Sequence, residues 1–210
     1  MYTPQPVDIP LINKKKEVRA EFGFSYPEMF FGSVSCGLTN KLAFQTYFNR
    51  SFDTRYFFQN AAGYFRDLGN NRVMEVYGGI AFGHTEAGNH DIPTKLKGPY
   101  QLYFAQLNYG KIDIHPANID IGLGLKLGFL HSDLLDYNYF THINQPIDME
   151  WLPLVVNNLI FEPHVFIRLG GKKLKVNLKA GGCIHYQLDH KDKPVPFLKA
   201  SAGLGINYRF

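Results

Sequence analysis

The chain has 210 residues, 45% of them hydrophobic and only 19% charged, with Phe 18, Tyr 13, Gly 20 and a formal net charge of +4. This aromatic-rich, charge-poor composition excludes intrinsic disorder, and the dispersed basic residues, with one run at Lys14-Lys15-Lys16, give no nucleic-acid footprint. Nor is there a stretch of about 20 apolar residues to form a membrane-spanning helix.

Residues 1–16 carry Pro4, Pro6 and Pro10 before the lysine run. They read as an extended, proline-rich leader without a core of its own. Met1 to Pro6 has no apolar segment of a cleavable signal, so the expectation is a cytosolic chain or a mature form. From Glu17 to Phe210 the signal is period-two alternation, with no sustained 3.6-residue stripe. It predicts about ten strands, near 17–25, 28–38, 41–50, 55–67, 72–85, 99–111, 118–131, 157–170, 173–188 and 196–210. The fourth is the weakest, because Asn60 falls on its otherwise apolar face. Turns after strands two, four, six and eight are compact, as at Thr39-Asn40 and Gly171-Lys172. Those after five, seven and nine are long: Glu86 to Gly98, Ser132 to Val156 and Asp189 to Val195. An antiparallel meander then has one end of tight turns and one of wide loops, the asymmetry of a membrane barrel.

The two faces differ in kind. In the last strand Leu198, Ala200, Ala202, Leu204, Ile206, Tyr208 and Phe210 alternate with Lys199, Ser201, Gly203, Gly205, Asn207 and Arg209. The second face, over the whole chain, mixes small residues with charges of both signs. Arg19, Lys126, Arg168, Lys175, Lys179 and Lys199 accompany Glu21, Glu75 and Glu162. Such a face suits a crowded lumen, and these nine residues are expected to form a charge network within it. Aromatics on the apolar face fall near the strand ends: Phe24, Phe48, Phe82, Tyr103, Phe129 and Tyr186 toward the loops, Tyr109 and Tyr208 toward the turns. That is a lipid-facing girdle. The expected fold is all-β, an antiparallel up-and-down transmembrane β-barrel of about ten strands.

The closing segment Gly203-Leu204-Gly205-Ile206-Asn207-Tyr208-Arg209-Phe210 resembles the terminal strand of small bacterial outer-membrane β-barrels, porin-like or OmpA-like. The run Glu75 to Gly83 is similar to strands of these families, and Pro10-Leu11 with Lys16-Glu17 resembles the start of lipoprotein-like barrels. The resemblance implies a bacterial outer-membrane location, contact with outer-membrane lipid, and Phe210 as the assembly signal read by the outer-membrane assembly machinery. It transfers no activity.

No catalytic, cofactor or metal site is expected. His84, His90, His131 and His142, with Asp91, Asp133 and Asp136, read as solvated loop residues, since no HExxH spacing occurs. His164 and His185 read as members of the interior network. Cys36 and Cys183 sit on opposite faces and are not expected to bond. The functional expectation is a non-enzymatic barrel with a filled lumen, structural or accessory, docking through its loops or leader to a larger outer-membrane complex. The alternatives are a small solute pore and a soluble lipid-binding barrel.

Overall fold

A computed structural model of the chain describes residues 7–26, 30–51, 54–87, 94–138, 151–189 and 198–210. The alternating segments form β1 (Val18–Tyr26), β2 (Phe30–Gly37), β3 (Leu42–Arg50), β4 (Tyr56–Asp67), β5 (Arg72–Ala87) and β6 (Thr94–Ile114). They continue as β7 (Ile119–Asn138), β8 (Trp151–Gly170), β9 (Leu174–Gly182), β10 (Ile184–Gln187) and β11 (Ala200–Arg209). Every pairing is antiparallel between neighbours, and the sheet closes through β1–β11, β11–β9 and β9–β8. β9 and β10 are one strand interrupted at Cys183, whose amide donates to Lys199 O at 2.9 Å. The register with β8 is unbroken across the interruption, from His164↔Gly181 to Phe161↔Ile184. The wall is therefore a closed ten-stranded up-and-down barrel.

The register fixes its dimensions. A path from Leu174 runs across Tyr208, Ala20, Val34, Thr46 and Asn60. It continues through Ile80, Tyr103, Phe129 and Leu159 and returns at Tyr186, twelve residues along the strand on which it began. With a rise of about 3.3 Å and a strand spacing of about 4.8 Å, that stagger tilts the strands by about 40° and gives a backbone radius of about 10 Å.

Alternation decides the two sides. Phe22, Phe24, Val34, Phe48, Leu107, Leu127, Val176 and Ile206 are exposed on the outer wall, while Arg19, Glu21, Gln45, Lys126, Glu162 and Arg168 are buried inside. The interior is not only charged. Phe31, Tyr47, Phe57, Phe65, Tyr77 and Phe104 form an inward cluster with Ile12 and Leu102, which corrects the expectation of a lumen filled largely by charged side chains. Asn60 lies on the outer wall opposite Thr46, and β4 keeps its phase.

The described loop-end segments differ from expectation. β6, β7 and β8 run to 21, 20 and 20 residues, against 9, 8 and 9 for β1, β2 and β3. Residues 94–98, 132–138 and 151–156, expected as loop, are strand. Pro99 and Pro153 hid their alternation, in which Leu96, Leu134, Leu154 and Val156 pack together on the inner side.

Small residues inside make room for large neighbours. A Cβ on Gly181 would collide with the His164 imidazole. Gly181→Ala should cost about 1–3 kcal/mol by overpacking, and adding His164→Ala should recover most of that loss. Denaturant midpoints of the refolded variants read this out; strictly additive effects would contradict the contact.

Candidate functional site

The leader is inside the barrel. At Lys16 the backbone adopts φ 64, and its amide donates to Gly37 O at 2.8 Å. That turn sends residues 7–13 back into the lumen from the tight-turn end. Val7, Asp8, Ile9, Leu11 and Ile12 are all buried. An extended leader without a core has thus become part of one, and residues 7–13 are not free to dock elsewhere. Residues 1–6 lie outside the described residues.

An extended peptide in a lumen must find partners for its amides and carbonyls. Here the wall supplies them. Glu75 accepts from the amides of Leu11 (3.2 Å) and Ile12 (2.7 Å), and its carboxylate also takes Asn108 Nδ2 (2.9 Å) and Tyr77 OH (3.2 Å). Arg168 donates to Ile9 O at 2.5 Å and Pro10 O at 3.5 Å, and Gln106 donates to Asp8 O at 2.8 Å. Asp8 accepts from Ser35 at 3.0 Å and stands 3.9 Å from Lys179. Wall glycines clear the path: a Cβ on Gly124 would stand 2.8 Å from Ile9 Cδ1, and one on Gly110 2.5 Å from Leu11 Cδ1.

Below the leader, at the turn end, six side chains close a ring of alternating charge. Glu17 meets Arg19 (2.8 Å), Arg19 meets Asp120 (3.5 Å), and Asp120 meets Lys175. Lys175 meets Asp113 (2.8 Å), Asp113 meets Arg209 (2.7 Å), and Arg209 returns to Glu17 (2.8 Å). β1, β6, β7, β9 and β11 are tied together by it. Three carboxylates face three cations, so the ring adds no net charge.

Deeper in, Glu21 joins Lys179 at 2.7 Å and Arg168 at 3.8 Å, with Asn177 (2.7 Å) and Asn207 (3.2 Å) donating to the same carboxylate. Lys126 donates to Gln59 at 2.9 Å, stands 3.9 Å from Glu162 and lies 4.8 Å from the Phe104 ring centre. Burying each charge with an opposite one and with polar donors is what keeps such a network affordable in free energy.

Of the nine residues expected in the lumen, the structure places Arg19, Glu21, Glu75, Lys126, Glu162, Arg168, Lys175 and Lys179 there. Lys199 is a correction. β11 begins at Ala200, paired with Gly182, so Lys199 precedes the ladder and is exposed. Asp8, Asp113, Gln106 and Asn108 are network members that alternation did not single out. Asp8 lies in the leader, and Asp113 in the connection expected after strand six, which is the end of β6.

The aromatics Phe24, Phe48, Phe82, Tyr103, Phe129, Tyr186 and Tyr109 are exposed outside, and Tyr208, half-exposed, packs on Phe210 at 4.6 Å between ring centres. Phe210 lies at the outer surface, its amide donating to Val18 O at 2.9 Å. His131 bonds Asn157 at 2.8 Å and stands 3.4 Å from Asp133; His84 stacks on Tyr56. Both are on strands rather than loops, while His90, Asp91 and His142 lie outside the described residues. His164 is buried beside Gly181 and His185 is half-buried. Cys36, on the outer wall, and Cys183, inside, are free. Among the described residues no group of three or more His, Cys, Asp and Glu side chains is arranged to hold a metal ion.

No protein-family model and no curated protein matches the chain. Among solved structures it is similar to one titled "Bacterial polysaccharide outer membrane secretin", at 8% identity and a TM-score of 0.20, covering 95% of this chain and 99% of that one. A likeness at that score carries no argument.

Arg168→Met should weaken the leader's seat by about 3–5 kcal/mol, because Glu21 loses a buried partner and two carbonyls lose their donor. After trypsin nicks the exposed Lys14–Lys16 segment, the peptide bearing Val7–Asn13 should stay with the wild-type barrel through gel filtration. From the variant it should be lost. Equal retention in both would contradict the anchoring role of Arg168.

Proposed function

We propose that the protein is a bacterial outer-membrane β-barrel with a structural or accessory role, a subunit docking to a larger membrane complex, and a lumen closed to solutes. The observation that carries this reading is the polarity of the wall, charge inside and hydrocarbon outside. On β6 the outward residues Tyr103, Ala105, Leu107 and Tyr109 lie between exposed Gln101 and Lys111. These flanking residues are ten positions apart; at the rise and tilt given above they bracket about 25 Å, the height of the apolar band of an outer-membrane barrel. The next two strands repeat the change. One row carries Tyr103, Phe129, Leu159 and Tyr186, and the next carries Gln101, His131 and Asn157. Along β6, β7 and β8 apolar residues thus give way to polar ones two residues on, as at a membrane–water interface.

A soluble lipid-binding barrel needs the opposite polarity, with hydrocarbon facing inward. Against a solute pore stands the leader, which occupies the lumen along with the wall's own side chains. With the bore occupied, the outer wall and loop end remain to act on other molecules. This supports an anchoring or accessory role over transport.

The protein should require detergent, shift in gel mobility on boiling, and be silent in planar bilayers. Removing residues 1–13 should produce discrete conductance steps, provided the truncated barrel still shows the heat-dependent shift. Steps from the intact chain would favour the pore. Solubility without detergent would favour the lipid-binding barrel. Gentle extraction should recover the chain with partners, and recovery of the monomer alone would count against docking.

A further inference from the structure

The exposed charges at the two ends of the barrel are unlike. Around the turn end Lys14, Lys15 and Lys16 stand at the foot of β1, Lys41 follows at the β2–β3 turn, and Lys172 and Lys173 stand beside β11. Between them Arg66, Arg72 and Lys111 point outward from the adjacent strands β4, β5 and β6, with Arg72 and Lys111 directly opposed across the ladder. All nine are exposed, and none makes an ion pair among the described residues; Asp67 is the exposed carboxylate described at this end, and it accepts from the Gly69 amide. Described charges at the loop end are mixed: Arg50, Arg55, Lys97 and Lys199 against Glu86, Asp133 and Asp189.

Height identifies the occupant. Arg66 is two residues beyond outward Tyr64, and Lys111 two beyond outward Tyr109, so both cations sit just past the turn-end aromatics. Two residues of tilted strand are about 5 Å. That is headgroup depth for a barrel whose apolar band ends at those tyrosines, and cations there are neutralised by lipid phosphates. A soluble acidic partner would instead meet charges on the turn tips alone. The geometry points to a cationic collar that binds anionic phospholipid headgroups in the leaflet at the turn end. This rests on the membrane reading above.

The test uses the full chain in nanodiscs of equal phosphatidylglycerol and phosphatidylcholine, with the lipids retained on the protein counted by native mass spectrometry. Phosphatidylglycerol should be enriched several-fold over the bulk ratio. The enrichment should fall toward unity in R66Q/R72Q/K111Q and survive R50Q/K199Q at the loop end. On the unmodified chain it should also weaken as sodium chloride is raised from about 50 to about 500 mM, since exposed charges are screened. Equal retention of the two lipids by the wild-type chain would overturn the proposal, as would enrichment unchanged in the triple variant or lost in the loop-end one. Polyglutamate displacing the retained phosphatidylglycerol would overturn it in favour of an acidic polypeptide. A chain that fails to enter the nanodisc, and shows no heat-dependent mobility shift, defeats the membrane reading itself; one that inserts without lipid preference defeats only the collar.

Discussion

Ten strands at a stagger of twelve enclose more space than their own side chains can fill. An eight-stranded barrel is about the size at which inward side chains meet across the axis, and a backbone radius of about 10 Å exceeds it. The rest of the interior follows from that surplus. Residues 7–13 return along the bore, and the wall thins to glycine at Gly37, Gly110 and Gly124, where the returning strand passes. Aromatic bulk at Phe31, Tyr47, Phe57 and Phe104 fills other sectors. Occupancy of the lumen is thus a packing requirement, met by the chain's own first segment.

A peptide in that position brings unpaired amides and carbonyls, and this accounts for where the wall puts charge. Arg168 and Glu75 act chiefly as donor and acceptor to the leader backbone, while Glu21 and Lys179 balance Arg168 and Asp8 in turn. The six-membered ring at the turn end belongs to a different job. It lies where the leader bends into β1 and includes Glu17, whose second oxygen takes the Asn13 amide at 3.1 Å. The ring therefore fixes the bend in the leader to the strand ends of the wall.

The wall was legible because one period governs every strand: Leu174 to Tyr186, Ile119 to Phe129 and Ala200 to Tyr208 can be assigned by parity alone. Parity fails where pairing stops. Lys199 has the parity of the lumen face but sits one residue before the ladder, held by the single bond to the Cys183 amide, and its side chain is exposed. At the loop end the prolines at 99 and 153 broke an alternation that the pairing maintains, because outward-facing positions of long strands tolerate them. The leader was illegible for another reason. Its prolines point to an extended arm without a core, yet Val7, Ile9 and Leu11 alternate with Asp8 and Pro10, the pattern of a strand with one apolar side. Nothing local says which cavity receives that side. The lumen glycines were the complementary signal, and only the closed register brings the two together.

The long strands β5–β8 carry the wall past its apolar stretch. Past the row of Gln101, His131 and Asn157 the outer face is no longer uniformly apolar, yet pairing continues through Leu96↔Asp136 and Asp136↔Leu152. A sheet whose outer face has turned polar must still bury one face to remain a sheet, and here Leu96, Leu134, Leu154 and Val156 are buried on the inner side. The same inward face therefore changes its chemistry with height. At the turn end it carries the ion-pair ring, at mid-height polar groups bound to the leader and aromatic filling, and at the loop end aliphatic packing. Each level answers to what lies across the bore at that height.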